Sequence, residues 1–181
     1  MIVSKGLARA SRIMAWFSAA AVFIVPLGTA FMFLAPQWAR PLGLDMDRHG
    51  LSHLTAAVPL LDRALALACA MIPATIATFG LVALMRLLVL FNRGQVFGSD
   101  ALRAFGRITA ALFWNVLAAF VMEAPITYFL TRDHPPGQHG ELQLTIGSDD
   151  VQVLFLAGVA WVVSRVMAEA RRVADENAGF V

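Results

Sequence analysis

Glu123 is the one charged residue between positions 108 and 130, in the run WNVLAAFVMEAPITYF. A carboxyl group in such a setting can bind a cation, take up a proton, or make one interhelical hydrogen bond. An ionised carboxylate at the centre of a membrane helix costs on the order of 3 kcal/mol. It is therefore expected to face protein or a water-filled cavity. Glu123 lies seven residues before position 130, roughly 10 Å along a helix. At that depth the other apolar runs place Pro26, Gly28 and Thr29, then Cys69, Ala70 and Pro73, then Ala157 and Gly158. A proline in a helix frees the carbonyl four residues back. For Pro26, Pro73 and Pro125 these are the carbonyls of Val22, Cys69 and Val121. A carboxylic acid, the form that desolvation favours, can donate to such a carbonyl. Glu123, Thr29, Cys69, Pro73 and Pro125 thus form a candidate polar pocket. Asn115, about 80° around the helix from Glu123, suits an interhelical hydrogen bond more than the pocket itself. The competing reading is that Glu123 too makes a single interhelical bond that fixes helix rotation.

All four histidines, His49, His53, His134 and His139, fall in the two segments 36–63 and 131–149, near Asp45, Asp47, Asp133 and Glu141. His49 and His53 have the i, i+4 spacing that zinc sites use, although Gly50 weakens a helix there. A metal site or an acidity sensor is one reading of this cluster; solvated loop residues are the other. DMDRHG has the opening of a calcium loop, but Ala56 stands where the bidentate Glu is required, which excludes it. The chain has no glycine-rich phosphate loop, HExxH, CxxC or GxSxG, and its single cysteine, Cys69, cannot form an intrachain disulfide. The expectation is a protein that is not an enzyme and carries no cofactor.

The elements that must position these residues follow from composition. Of 181 residues, 59% are hydrophobic and 14% charged, against about 45–50% and about 25% in soluble domains. Uncharged stretches cover 13–35, 64–85 and, apart from Glu123, 108–130. Each is long enough for a hydrocarbon core of about 30 Å. A shorter stretch, 151–164, reaches spanning length if Arg165 snorkels to the interface. Asp149 and Asp150 suit its N-terminus. The expected fold is an all-α membrane protein: one domain over 1–181, with spans at about 13–35, 64–91, 100–130 and 150–170 and outer loops at 36–63 and 131–149. The basic leader before the first span precedes too long an apolar run for a cleaved signal peptide.

Orientation follows from arginine and lysine. Ten of the 14 lie in the N-terminal leader, the middle connection and the C-terminal tail, while Arg40, Arg48, Arg63 and Arg132 lie in the other two loops. Positive charge stays in the cytoplasm. Both termini are thus expected inside, with the chain entering as two helical hairpins. Ala66, Ala70, Ala74 and Thr78 form a small-residue stripe that permits close helix packing. ELQLTIG alternates and reads as a short strand in an extracytoplasmic cap. In the middle connection Gly94 and Gly98 mark a turn, and Ser99 and Asp100 suit an N-cap. The last helix is expected to extend as SRVMAEARRVADEN, with Arg165, Glu169, Arg172 and Glu176 in a charge ladder. Arg93, Phe97, Arg103, Glu169, Arg172 and Glu176 are the candidates for docking a cytoplasmic partner. No DNA-reading pattern is present, so direct nucleic-acid binding is not expected.

Gly94, Phe97, Leu102, Arg103 and Gly106 match G-x-x-F…L-R-x-x-G, and Glu176, Asn177, Phe180 and Val181 match a family ending. LQLTIGSDD ahead of the last span matches too. On these residues the chain resembles a family of small bacterial four-span inner-membrane proteins of unknown function. Members are often encoded beside a small helix-turn-helix regulator. The resemblance implies a bacterial inner-membrane location and a cytoplasmic transcription regulator as partner. It names no substrate and no catalytic residue. The expected function is a sensory or regulatory protein that relays an outer or intramembrane signal to a cytoplasmic partner. The alternative is a small transporter, channel or efflux accessory, of homo-oligomeric build, in which Glu123 couples to a cation or proton.

Overall fold

A computed structural model describes residues 5–39, 42, 51, 54–55, 57–93, 98–133 and 147–178. Its helices are α1 (Lys5–Leu34), α2 (Pro36–Ala39), α3 (Leu60–Asn92), α4 (Ser99–Thr131) and α5 (Ser148–Ala178). There is no strand among the described residues. The segment expected to form one, 141–146, lies outside them.

Four of the helices, all but α2, are long and apolar enough to cross a membrane. Their large side chains point outward: Trp16, Phe17, Phe79 and Phe155 are each at least 70% exposed. In water so much exposed apolar surface would drive aggregation. In lipid it is the solvated surface, and the helical backbone keeps its polar groups paired. The chain is a multi-pass membrane protein. Pro26, Pro73 and Pro125 sit inside α1, α3 and α4 without ending them, since each removes a single helical bond.

The helices outrun the expected spans. α3 begins at Leu60 and α5 continues to Ala178. α2 falls within the expected loop 36–63. α4 begins at Ser99, where the N-cap signal stood, and the Leu102 N–H donates to the Gly98 carbonyl at 3.1 Å. At the start of α5, the Gly147 N–H donates to Asp150 Oδ2 at 2.9 Å, the reach-back that satisfies an otherwise orphaned donor. The Arg165 guanidinium lies over the Trp161 ring, 5.4 Å from its centroid. That contact lets the charge rest against an aromatic face where α5 leaves its apolar stretch.

The chain divides into two compact units. The first comprises Met1–Val22, Thr78–Phe113 and Gln152–Val181; the second comprises Phe23–Ala77 and Trp114–Val151. In the first, Leu87 of α3 packs with Ala101 and Ala104 of α4. Ser11 of α1 donates its hydroxyl to the Asn92 side-chain oxygen at the end of α3. A Cβ built on Gly80 of α3 would stand 2.9 Å from the Ala111 Cβ of α4, so the missing side chain is what allows that approach. Ala111 Cβ cannot rotate away. Gly80→Ala is expected to cost about 1–3 kcal/mol by overpacking, and Gly80→Leu more. Thermal unfolding in detergent micelles checks this; an unshifted midpoint for both variants would contradict the tight contact.

In the second unit the core joins Phe33, Ala39, Leu54, Val58, Ala66, Ile126 and Leu130. Of the small-residue stripe, Ala66 and Ala74 are buried, and Ala70 packs against this core.

Candidate functional site

Three of the second unit's four buried polar residues among those described, Glu123, Thr127 and Thr131, lie on one face of α4. Glu123, Ile126, Thr127, Leu130 and Thr131 are all buried, at i, i+3, i+4, i+7 and i+8, which is the inward stripe of an α-helix. Val121 and Tyr128, on other sides of the same helix, are 50% and 43% exposed. Glu123 itself is 0% exposed. Its side chain is therefore sheltered by protein and does not reach acyl chains.

Thr127 donates its hydroxyl to the Glu123 backbone carbonyl at 2.9 Å, and Thr131 donates to the Thr127 carbonyl at 2.8 Å. These bonds hold both hydroxyls against their own helix, a common way to satisfy a hydroxyl without water. Their cost in helix geometry is small. The result is a buried column of three polar residues climbing α4 to its last residue.

At the top of this column stands an ion pair. Asp62, in the first turn of α3, is 1% exposed. Arg132 Nη2 lies 3.0 Å from Asp62 Oδ1, and Arg132 Nε lies 3.9 Å from Asp133 Oδ1. A carboxylate is favoured at a helix N-terminus, but burial this complete requires a counter-charge. Asp62 Oδ2 has no hydrogen-bond donor among the described residues. Beside the pair is a cavity of about 190 Å³ whose lining includes Thr55, Pro59, Asp62, Phe129 and Asp133. Arg63, the next residue, reaches the α1 terminus, its Nη1 donating to the Leu34 carbonyl at 3.4 Å.

The structure joins two of the residues singled out by sequence. Asn115 Nδ2 donates to the Pro73 carbonyl at 2.8 Å, linking α4 to α3 within the second unit. The acceptor is Pro73's own carbonyl and not the freed carbonyl of Cys69, one turn earlier. A helical carbonyl has a second lone pair, so the contact needs no broken helix bond. Thr29 turns its hydroxyl to the Val25 carbonyl of its own helix at 2.9 Å. Cys69 is half-buried against the second unit's core. Pro125 is half-buried, two residues beyond Glu123. Ala157 and Gly158, expected at Glu123's depth, belong to the first unit.

His49, His53, His134 and His139 lie outside the described residues, as does Phe97. No metal-binding cluster of His, Cys, Asp or Glu occurs among the described residues. Arg93 and Arg103 line one cavity in the first unit. Arg172 pairs with Glu169 and with Glu176 on the exposed side of α5, which gives the expected ladder its last three members. Arg165 faces Trp161 instead.

Sequence reasoning missed Asp62, Arg132, Thr127 and Thr131. The threonines carried a usable signal, because i+4 and i+8 from Glu123 share its face. Asp62 and Arg132 stood just outside two apolar runs, Arg132 counted only for orientation and Asp62 not at all.

No curated protein and no solved structure matches the chain. A family model does fit it, over residues 7–179. The likeness seen in the middle connection and the tail thus extends back into α1, and the chain belongs to the family described as "Protein of unknown function (DUF2975)".

Proposed function

We propose that this is a sensory protein of the bacterial inner membrane, relaying a signal from outside or within the bilayer to a cytoplasmic transcription regulator. The reading is carried by one observation: Glu123, fully buried, begins a polar stripe on α4 that ends at the Asp62–Arg132 pair. A proton or small cation reaching that stripe changes its charge balance in a low-dielectric setting, where such changes are energetically large. α4 is one helix from Ser99 to Thr131, so a shift at Glu123 is transmitted along it. The charge bias of ten basic residues against four supports cytoplasmic termini and two hairpins entering from inside. The charged end of α5, with Arg172 between Glu169 and Glu176, is the surface this reading assigns to the partner.

The test is capture of a small helix-turn-helix regulator of the kind the resemblance implies, using the full-length protein in detergent. Wild type is expected to retain it, and Glu123→Gln to change the retained fraction by about five-fold or more, the lower bound of typical allosteric coupling. Equal capture by both would remove Glu123 from the relay. No capture at all would remove the relay.

The same buried stripe favours a second reading, a small transporter or channel in which Glu123 couples to a cation or proton. Flux through proteoliposomes that vanishes in Glu123→Gln, with no regulator captured, would establish it over the first. An oligomer formed through the apolar sides of α5, where Phe155 and Val162 are exposed, accords with either.

A further inference from the structure

The first unit holds a second concave feature with opposite charge. Arg86 on α3 and Arg93, the residue just past its end, stand seven apart, and Arg103 and Arg107 stand four apart on α4. All four line one cavity of about 410 Å³. Met85 and Val89 give it an apolar wall. The single carboxylate in the lining is Asp100, which pairs with Arg103 within α4. Arg86, Arg93 and Arg107 have no ion-pair partner among the described residues.

Orientation by positive charge asks only that arginines lie on the correct side. It does not ask that they converge. Four guanidiniums gathered about a single carboxylate repel one another, and the arrangement is relieved by an anion. A guanidinium fork matches the oxygens of a phosphate. The cavity falls within the range that holds a ligand of headgroup size. Its apolar wall lies on the α3 side that leads into the membrane span. A polyanion in water has no use for that wall, whereas a phosphate carrying acyl chains does.

We infer that this groove binds the headgroup of an anionic phospholipid, with a chain laid against Met85 and Val89. The inference stands apart from the sensory reading, since it uses neither Glu123 nor a protein partner. An acidic segment of another protein would match the charge but would have to leave the apolar wall uncovered.

The experiment is native mass spectrometry of the full-length protein in detergent, titrated with phosphatidylglycerol, with phosphatidylcholine and with inorganic phosphate. Phosphatidylglycerol is expected to remain bound as one tight equivalent, and phosphatidylcholine to be lost. Inorganic phosphate is expected not to displace it. Each arginine removed should weaken retention about five-fold, so the double variant Arg86→Gln/Arg107→Gln should lose about 25-fold. Arg86→Lys/Arg107→Lys keeps the charge but not the bidentate fork and should bind between wild type and the glutamine pair, which supplies a folded comparison should the glutamine pair not survive purification. Arg165→Gln, outside the groove, should bind as wild type. Equal retention of both lipids, displacement by inorganic phosphate, or equal loss in Arg165→Gln would each overturn the inference.

Discussion

Arg132→Ala is expected to destabilise the protein by about 3–5 kcal/mol, the usual result of removing one partner from a buried pair. Asp62 is 1% exposed, and Arg132 is its ion-pair partner among the described residues, at 3.0 Å. Without that guanidinium a carboxylate is left in an enclosed site, and the helix N-terminus beside it offers no more than about 2 kcal/mol. The arginine is partly exposed, at 42%, so water can reach the vacated position and keep the loss near the lower bound. Asp62→Asn should cost less, because the remaining arginine can turn to solvent and toward Asp133. The double variant Arg132→Ala/Asp62→Asn should recover a large part of what Arg132→Ala lost, a non-additivity of the kind that contacting residues show. Unfolding in mixed micelles, followed by tryptophan fluorescence, measures all three. If the losses simply add, the two side chains are not coupled, and the cavity beside them has no charged wall set by this pair.

That pair also shows where the sequence stops being informative. The four crossings were legible because each is a matter of length and apolar content within one stretch of chain. Burial of Glu123 was legible for a related reason: lipid leaves few places for a carboxylate. Its immediate neighbours were not. Counting residues along each run gave neither the level of one helix against another nor its rotation: Pro73, expected level with Glu123, lies level with Asn115, eight residues before it. Thr29, expected at Glu123's depth, bonds to Val25 in its own helix. Ala157 was placed at the same depth by counting residues along the last span, yet it belongs with the first unit. Asn115, eight residues and so just over two turns before Glu123, is the residue that reaches a proline's carbonyl. Asp62 and Arg132 were unreadable as a pair because nothing local joins them. Only the packing of α3 beside the end of α4 does so, through Ala66 against Ile126 and Leu130. Arg165 was expected to snorkel, and the structure gives its charge a partner that spacing alone did not suggest, a tryptophan one turn earlier.

Glu123 yields the other large expected effect. Replacing it by Gln keeps length, shape and an acceptor oxygen, and is expected to change stability by no more than about 1 kcal/mol, the scale of one interhelical bond in a membrane protein. Replacing it by Lys asks a longer cation to enter a site with no exposed surface. The α4 face around it offers Ile126, Thr127 and Leu130, and the Thr127 hydroxyl is already directed at the Glu123 carbonyl. A lysine mid-span can escape by snorkelling, but about eight residues of helix separate position 123 from the end of α4, roughly 12 Å at the helical rise. A lysine stem cannot cover that without rotating α4 and undoing the Asn115–Pro73 bond. The expected cost of Glu123→Lys is therefore about 3 kcal/mol or more, by the insertion cost of a central cation. Glu123→Leu separates polarity from size, since it fills a similar volume without charge. It should fall between the two, since it removes the buried polar group without adding a cation. Comparing the three by thermal unfolding in one detergent tests the ordering Gln, Leu, Lys. A lysine variant as stable as wild type would mean that water reaches position 123, and that the polar face of α4 lines an open channel and not a sealed site.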